Sequence, residues 1–169
     1  MTLAVLAPLA ALLPVALQRG ARGTATPRPS CGADSAAAAA DLRAINERTR
    51  AAHFTRDAGA FLAAWADTVL DVRGGSLRPA ARDALRAPLR EQWRALTFDE
   101  VSDLTPPVVR VSPDGCMAWL AGHVRVRARE ATPAGERPLR LDAAWLAVFE
   151  RGPGGAWRQV AIANTDASR

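Results

Sequence analysis

Hydrophobic and polar positions along this chain follow two different periods, and the change between them divides the sequence. From residue 35 to 54, Leu42, Ile45, Thr49 and Ala52 recur at the three-and-four spacing of one helical face. Asp34 or Ser35 can cap such a helix, and the Ala36 to Ala40 run has the highest helix propensity available. Arg43, Glu47 and Arg50 fall on the opposite face, where water is expected. Asp57 can cap a second helix over 58–66, with Ala58, Phe61, Leu62 and Trp65 as its buried stripe. "TVLDVRGGSLR", 68–78, reads as a small hairpin turning at Gly74-Gly75. Pro79 suits the first turn of a third helix with Leu85, Leu89, Trp93 and Leu96 on its inner face. Pro88 lies inside that helix, and its missing N–H predicts a kink or break near 86–88.

From residue 97 the period is two. "LTFDEVSDL" is a strand, and Pro106-Pro107 makes the next one, 108–112, begin afresh or sit at a bend. "VVRVSPDGCMAWLAG" then reads as two strands turning at Ser112-Pro113-Asp114-Gly115. Strands follow over 116–129, 139–150 and 156–164, separated by "EATPAGERP" and "RGPGGA". Helices first and a strand meander after them predict an α+β fold, with three N-terminal helices gathered on one side of an antiparallel sheet. In strand 139–149 both rows are apolar, including Trp145 and Phe149 on one side and Leu146 and Val148 on the other. A second covered face, from curling or from a dimer contact, is expected.

The amino terminus changes the picture more than the composition does. "MTLAVLAPLAALLPVALQ" is uncharged and apolar, yet short and broken by Pro8 and Pro14, which fits the h-region of a signal peptide better than a membrane span. Residues 1–20 are therefore read as a signal peptide, 21–34 as a linker and 35–169 as the domain, with export to the periplasm or beyond; a misassigned start would make the protein cytoplasmic instead. Neither a stable membrane span in the mature form nor a lipid anchor on Cys31 is expected, since "RPS" lacks the apolar residue that anchoring needs. Cys31 and Cys116 are the two cysteines; pairing is one outcome in an exported protein. The favoured one leaves Cys31 as a thiol in the tail and Cys116 as a small turn residue. All 22 basic residues are Arg, and the net charge of +5 invites a nucleic-acid reading. Three of those Arg lie in the first 30 residues, and the remaining 19 face 17 acids, so the body is nearly balanced and nucleic acid is not an expected partner.

The order of elements, with "AHFTRDAGAFLAAWADTVLDVRGGSLR", "PPVVRVSPDGCMAW" and "GAWRQVAIANTD", resembles the nuclear-transport-factor-2-like superfamily, and within it the SnoaL-like and DUF4440 groups, over roughly residues 37–167. The resemblance implies a cone: a sheet wrapped around the helices, with a cavity at its wide end. It does not choose an activity, because that fold hosts isomerases, cyclases, dehydratases and non-catalytic modules.

Asp71 lies near where the isomerase branch carries its general base, so the resemblance implies a catalytic candidate there, with His53 assisting from the helix end. The simpler reading, a hairpin carboxylate paired with Arg73 or Arg78, is favoured. The chain has no Tyr, the residue that branch uses to stabilise an oxyanion, so His53, Trp119, Trp145, Asn164, Thr165 or a backbone N–H would have to serve. Trp65, Trp119, Trp145 and Asn164 are the candidate ligand-binding residues. No motif calls for a metal or a cofactor, and none is expected. The reading that results is an exported domain that binds a small, mostly apolar molecule as a homodimer. An enzyme with Asp71 as base and a protein-interaction module without ligand are the alternatives.

Overall fold

The computed structural model describes residues 31–166 apart from residue 33; the signal-peptide expectation and most of the linker lie outside them. Three helices, α1 (Ser35–Thr55), α2 (Ala58–Phe61) and α3 (Arg82–Arg94), accompany six strands. These are β1 (Trp65–Arg73), β2 (Ser76–Ala81), β3 (Leu96–Val111), β4 (Met117–Thr132), β5 (Gly135–Arg151) and β6 (Trp157–Asp166). They form one curled, unclosed sheet in the order β2-β1-β6-β5-β4-β3.

The helix starts follow their caps. The Asp34 carboxylate accepts from the Ala36 N–H at 2.8 Å, and that of Asp57 accepts from Ala60 at 3.0 Å. α1 packs its apolar first half, Ala38 and Leu42, against Val109, Leu120, Ala147 and Phe149 on the concave face. A second cluster, Leu62, Trp65 and Val69, holds α2 and β1 with Leu85 and Leu89 of α3 packed against it. Gly74 (φ 53°) and Gly75 (φ 74°) both occupy the left-handed region, which a two-residue turn between β1 and β2 requires.

Several expectations need correction. The second helix stops at Phe61 rather than 66, because from Trp65 the backbone pairs with β6: the Gln159 N–H donates to the Ala64 carbonyl at 2.7 Å, and Trp65 stands opposite Gln159. Sheet pairing overrides the helix propensity of "FLAAWAD". That β1–β6 contact is parallel, so the sheet is mixed rather than wholly antiparallel. Pro79 lies in β2, not at a helix start; β2 is an edge strand, where a missing N–H costs no ladder bond. Pro88 does not break α3, which runs through it. Both Pro88 and Ala84, whose carbonyl loses its partner, face solvent. β3, the other edge, continues through Pro106-Pro107 with shifts of register between Asp103 and Thr105 and between Thr105 and Val108.

Cys31 and Cys116 are joined in a disulfide, with Cα atoms 5.1 Å apart, against the favoured reading of separate thiols. The tail lies along the β3–β4 turn: Cys31 N–H donates to the Asp114 carbonyl at 3.0 Å, and the Arg151 guanidinium donates to the carbonyls of Cys31 and Gly32. The cross-link staples the start of α1 to the hairpin it packs on. Replacing both cysteines with Ala should leave the fold intact and lower unfolding free energy by about 2–4 kcal/mol. Urea unfolding of the oxidised protein and the variant measures this; equal midpoints would mean that packing alone holds the tail in place.

Candidate functional site

The inner face of α1 changes character along its length. Ala38 and Leu42 are fully buried, whereas from Ile45 to His53 the same face borders a cavity of about 400 Å³. The cavity lies between the helices and the concave sheet. Its walls are largely apolar, with Val124 and Val126 of β4, Leu141, Ala143 and Trp145 of β5, and Ile162 of β6. Phe61 and Trp65 close the side beneath α2.

Polar groups enter this wall from α1, β3, β1 and β6, and from α3 at Gln92. Asp103 of β3 receives the Arg50 guanidinium at 3.1 Å and the Asn46 amide at 3.4 Å, both on the same carboxylate oxygen. Asn46 is only 7% exposed. Arg50 was expected on the wet face; here it is half-buried and borders the cavity, because the curl of β3 brings Asp103 alongside α1. Across the cavity, Gln159 and Asn164 of β6 and Arg73 of β1 line the wall, and Arg73 stands opposite Asn164 in the parallel register. The Gln159 Nε2, Asn164 Nδ2 and Arg50 Nε atoms are buried with no hydrogen-bond partner in the protein.

His53 also borders the cavity, packed among Trp93, Phe61 and Phe98 with ring centroids 4.9, 5.2 and 5.2 Å away. Its Nδ1 lies 3.0 Å from the Thr49 carbonyl and 3.2 Å from that of Arg50. Carbonyls only accept, so Nδ1 carries the proton and donates, leaving the lone pair on Nε2. Burial pushes the imidazole pKa down, against the pull of those two hydrogen bonds.

The expected site residues divide. His53, Trp65, Trp145 and Asn164 all border the cavity. Asp71 is not among the residues that border the cavity: it lies two residues before Arg73 on β1, with the Arg73 guanidinium 3.9 Å away and its own Oδ1 buried without a hydrogen-bond partner. Asp71 and His53 are thus not brought together. Trp119 is on the opposite face of the sheet and 38% exposed, because it alternates with the buried Ala118 and Leu120 along β4. Thr165 is exposed, its hydroxyl donating to the Ala144 carbonyl at 3.0 Å. Among the described residues no group of His, Cys, Asp and Glu could hold a metal ion.

Asn46, Asp103, Gln159 and Gly122 were not singled out from the sequence. Each leaves a trace there: a polar or absent side chain at a position whose period assigns it to the inner face. Gly122 is the most constrained. A Cβ built on it would lie 2.7 Å from ring atoms of Trp145, its cross-strand partner, so the indole lies directly over its backbone. Gly122→Ala should push the indole toward the cavity and destabilise the fold by about 1–3 kcal/mol. Thermal unfolding measures the loss, and an unchanged melting temperature would show that the ring moves freely.

The buried histidine gives a pH dependence of definite sign. Its folded pKa lies below the ordinary 6.5, so in the window between them the unfolded chain binds the extra proton. Its contribution is complete above that ordinary value and is lost as the pH falls through the window. The urea midpoint should therefore drop between about pH 7.5 and about pH 5, and drop less in His53→Leu. Parallel curves for the two proteins would refute a neutral, buried His53.

No known family matches the chain in a scan of family sequence patterns, and no curated protein matches it. Solved structures do. A conserved protein from Planctomyces limnophilus aligns at TM-score 0.62 and 15% identity, covering 78% of this chain and 98% of its own. A nuclear-transport-factor-2-like protein of unknown function in nutrient uptake from Rhodospirillum rubrum aligns at TM-score 0.58 and 20% identity, over 75% of this chain and 98% of its own. A ketosteroid isomerase-like protein from Erwinia carotovora aligns at TM-score 0.59 and 14% identity, over 77% of this chain and 96% of its own. At such identities the likeness is one of fold, and together with the cone and its cavity it shows that the chain has the nuclear-transport-factor-2-like fold.

Proposed function

We propose that this chain is an exported, SnoaL-like domain that holds a small, mostly apolar molecule in its cone, without need of catalysis. The observation that carries the reading is the cavity of about 400 Å³, walled by aliphatic and aromatic side chains with polar groups among them. A cone filled by its own side chains would have favoured the interaction module instead. The isomerase alternative draws no support from the geometry, since the Asp71 carboxylate is off the cavity wall. The one carboxylate among the described residues of that wall, Asp103, is engaged by Arg50 and Asn46.

Two further parts of the reading have their own support. Disulfides persist in oxidising compartments, so the Cys31–Cys116 bond favours export. The outer face of the sheet favours a homodimer. Val72, Ala163, Leu146, Ala121 and Val108 stand side by side across β1, β6, β5, β4 and β3, and Leu70, Ala161, Val148 and Trp119 form a parallel row. Leu146 is 41% exposed and Val108 45%. Two continuous apolar rows that end on charged groups such as Arg110 suit a second copy meeting the first about a two-fold axis.

Native mass spectrometry of the protein purified from its own host tests the whole reading. The expected species is a dimer heavier than its two polypeptides by the mass of a small molecule, which denaturation releases. Ala143→Phe, which fills the cavity, should remove the extra mass and keep the dimer. A species at bare polypeptide mass, with and without that substitution, would favour the interaction module.

A further inference from the structure

The polar groups of the cavity are biased toward donors, and the bias has a location. On the α1 side, Asp103 holds the cation beside it, so that corner carries no uncommitted charge. His53 is held neutral there by its burial. On the opposite rim, Arg73 and Asn164 stand opposite each other on β1 and β6, and both border the cavity. The Arg73 side chain is 58% exposed, and its carboxylate neighbour Asp71 is 3.9 Å away, beyond hydrogen-bonding distance. The Asn164 amide nitrogen is buried and without a partner in the protein. A cation whose ion pair with Asp71 carries no hydrogen bond and an unpartnered amide donor thus share the open edge of an apolar chamber.

We infer that the molecule held in the cone is a small organic acid, its carboxylate at the rim against Arg73 and Asn164 and its apolar body directed toward Trp145 and Trp65. This deepens the binding reading above and rests on it. The orientation follows from desolvation. A carboxylate moved to the apolar inner wall would lose its hydration against aliphatic carbon, whereas at the rim it keeps part of its water and gains a guanidinium. The apolar body gains most where Val124, Leu141, Ala143 and Ile162 remove it from water. An amine head would meet Arg73 as a like charge, and a neutral head would leave that charge uncompensated by the ligand.

Isothermal titration of the full chain with naphthalene-2-carboxylate, naphthalene-2-carboxamide and 2-naphthylmethylamine tests the inference. The carboxylate should bind about tenfold tighter than the carboxamide, with the amine weakest. Arg73→Met, a change at an exposed side chain, should lower the affinity of the acid far more than that of the carboxamide and so remove that advantage; Arg73→Lys should keep most of it. Equal affinity for acid and amide, or an acid affinity indifferent to Arg73→Met, would overturn the inference and leave the binding reading standing. Failure of all three probes to bind would count against both.

Discussion

Everything in this fold depends on how far α1 fills the cone. Its first half is small and apolar, and Ala38 and Leu42 approach the concave sheet closely enough for both to be fully buried. Its second half presents Ile45, Asn46, Thr49, Arg50 and His53 to the same side, and there the sheet is too curled for these groups to fill the space. One helix face is therefore both the plug of the narrow end and the lining of the wide end. The disulfide and the Arg151 contacts hold the plug end, so the helix has little freedom to slide into the cavity.

The cavity is chemically two-sided for the same reason. Polar groups on α1 meet a carboxylate on β3 and are largely satisfied within the protein, which stabilises the helix without committing the site. On β6 no such carboxylate meets the Gln159 and Asn164 side chains, and their amide donors remain available. Between them, Trp145 lies over Gly122, so the wall there is a flat aromatic surface rather than a packed layer. The sheet's other face repeats the theme on a larger scale, with apolar rows that the chain itself does not cover.

Much of this was legible beforehand. Helix caps at Asp34 and Asp57, the Gly74-Gly75 turn and the inner stripes of α1 and α3 were read from side-chain chemistry and period. These are local properties, fixed within a few residues. Four of the six expected site residues reached the cavity: His53 from its place beside the inner face of α1, Trp65 in a strand rather than the expected helix, and Trp145 and Asn164 on strands whose inward row the period alone did not single out. Trp119 did not, because aromatic identity alone does not say which face of β4 is inward. Asn46 and Asp103 were passed over although both sit in inward rows, since a polar residue there gains meaning only when its partner is known.

By itself, then, the sequence determined the helices-then-strands order and the apolar inner rows of most elements, because these follow from propensity, capping and hydrophobic period; the cone was legible only through the family resemblance. Only the tertiary structure decided what those elements do to one another. It turned the end of "FLAAWAD" into a strand through pairing with β6, let two proline sites pass by placing them on edges, and joined cysteines separated by 85 residues. It also left Asp71 off the cavity and put Arg73 and Asn164 on its rim. The physical reason is common to all of these: each depends on a contact between residues remote in the chain, and no local preference encodes the partner.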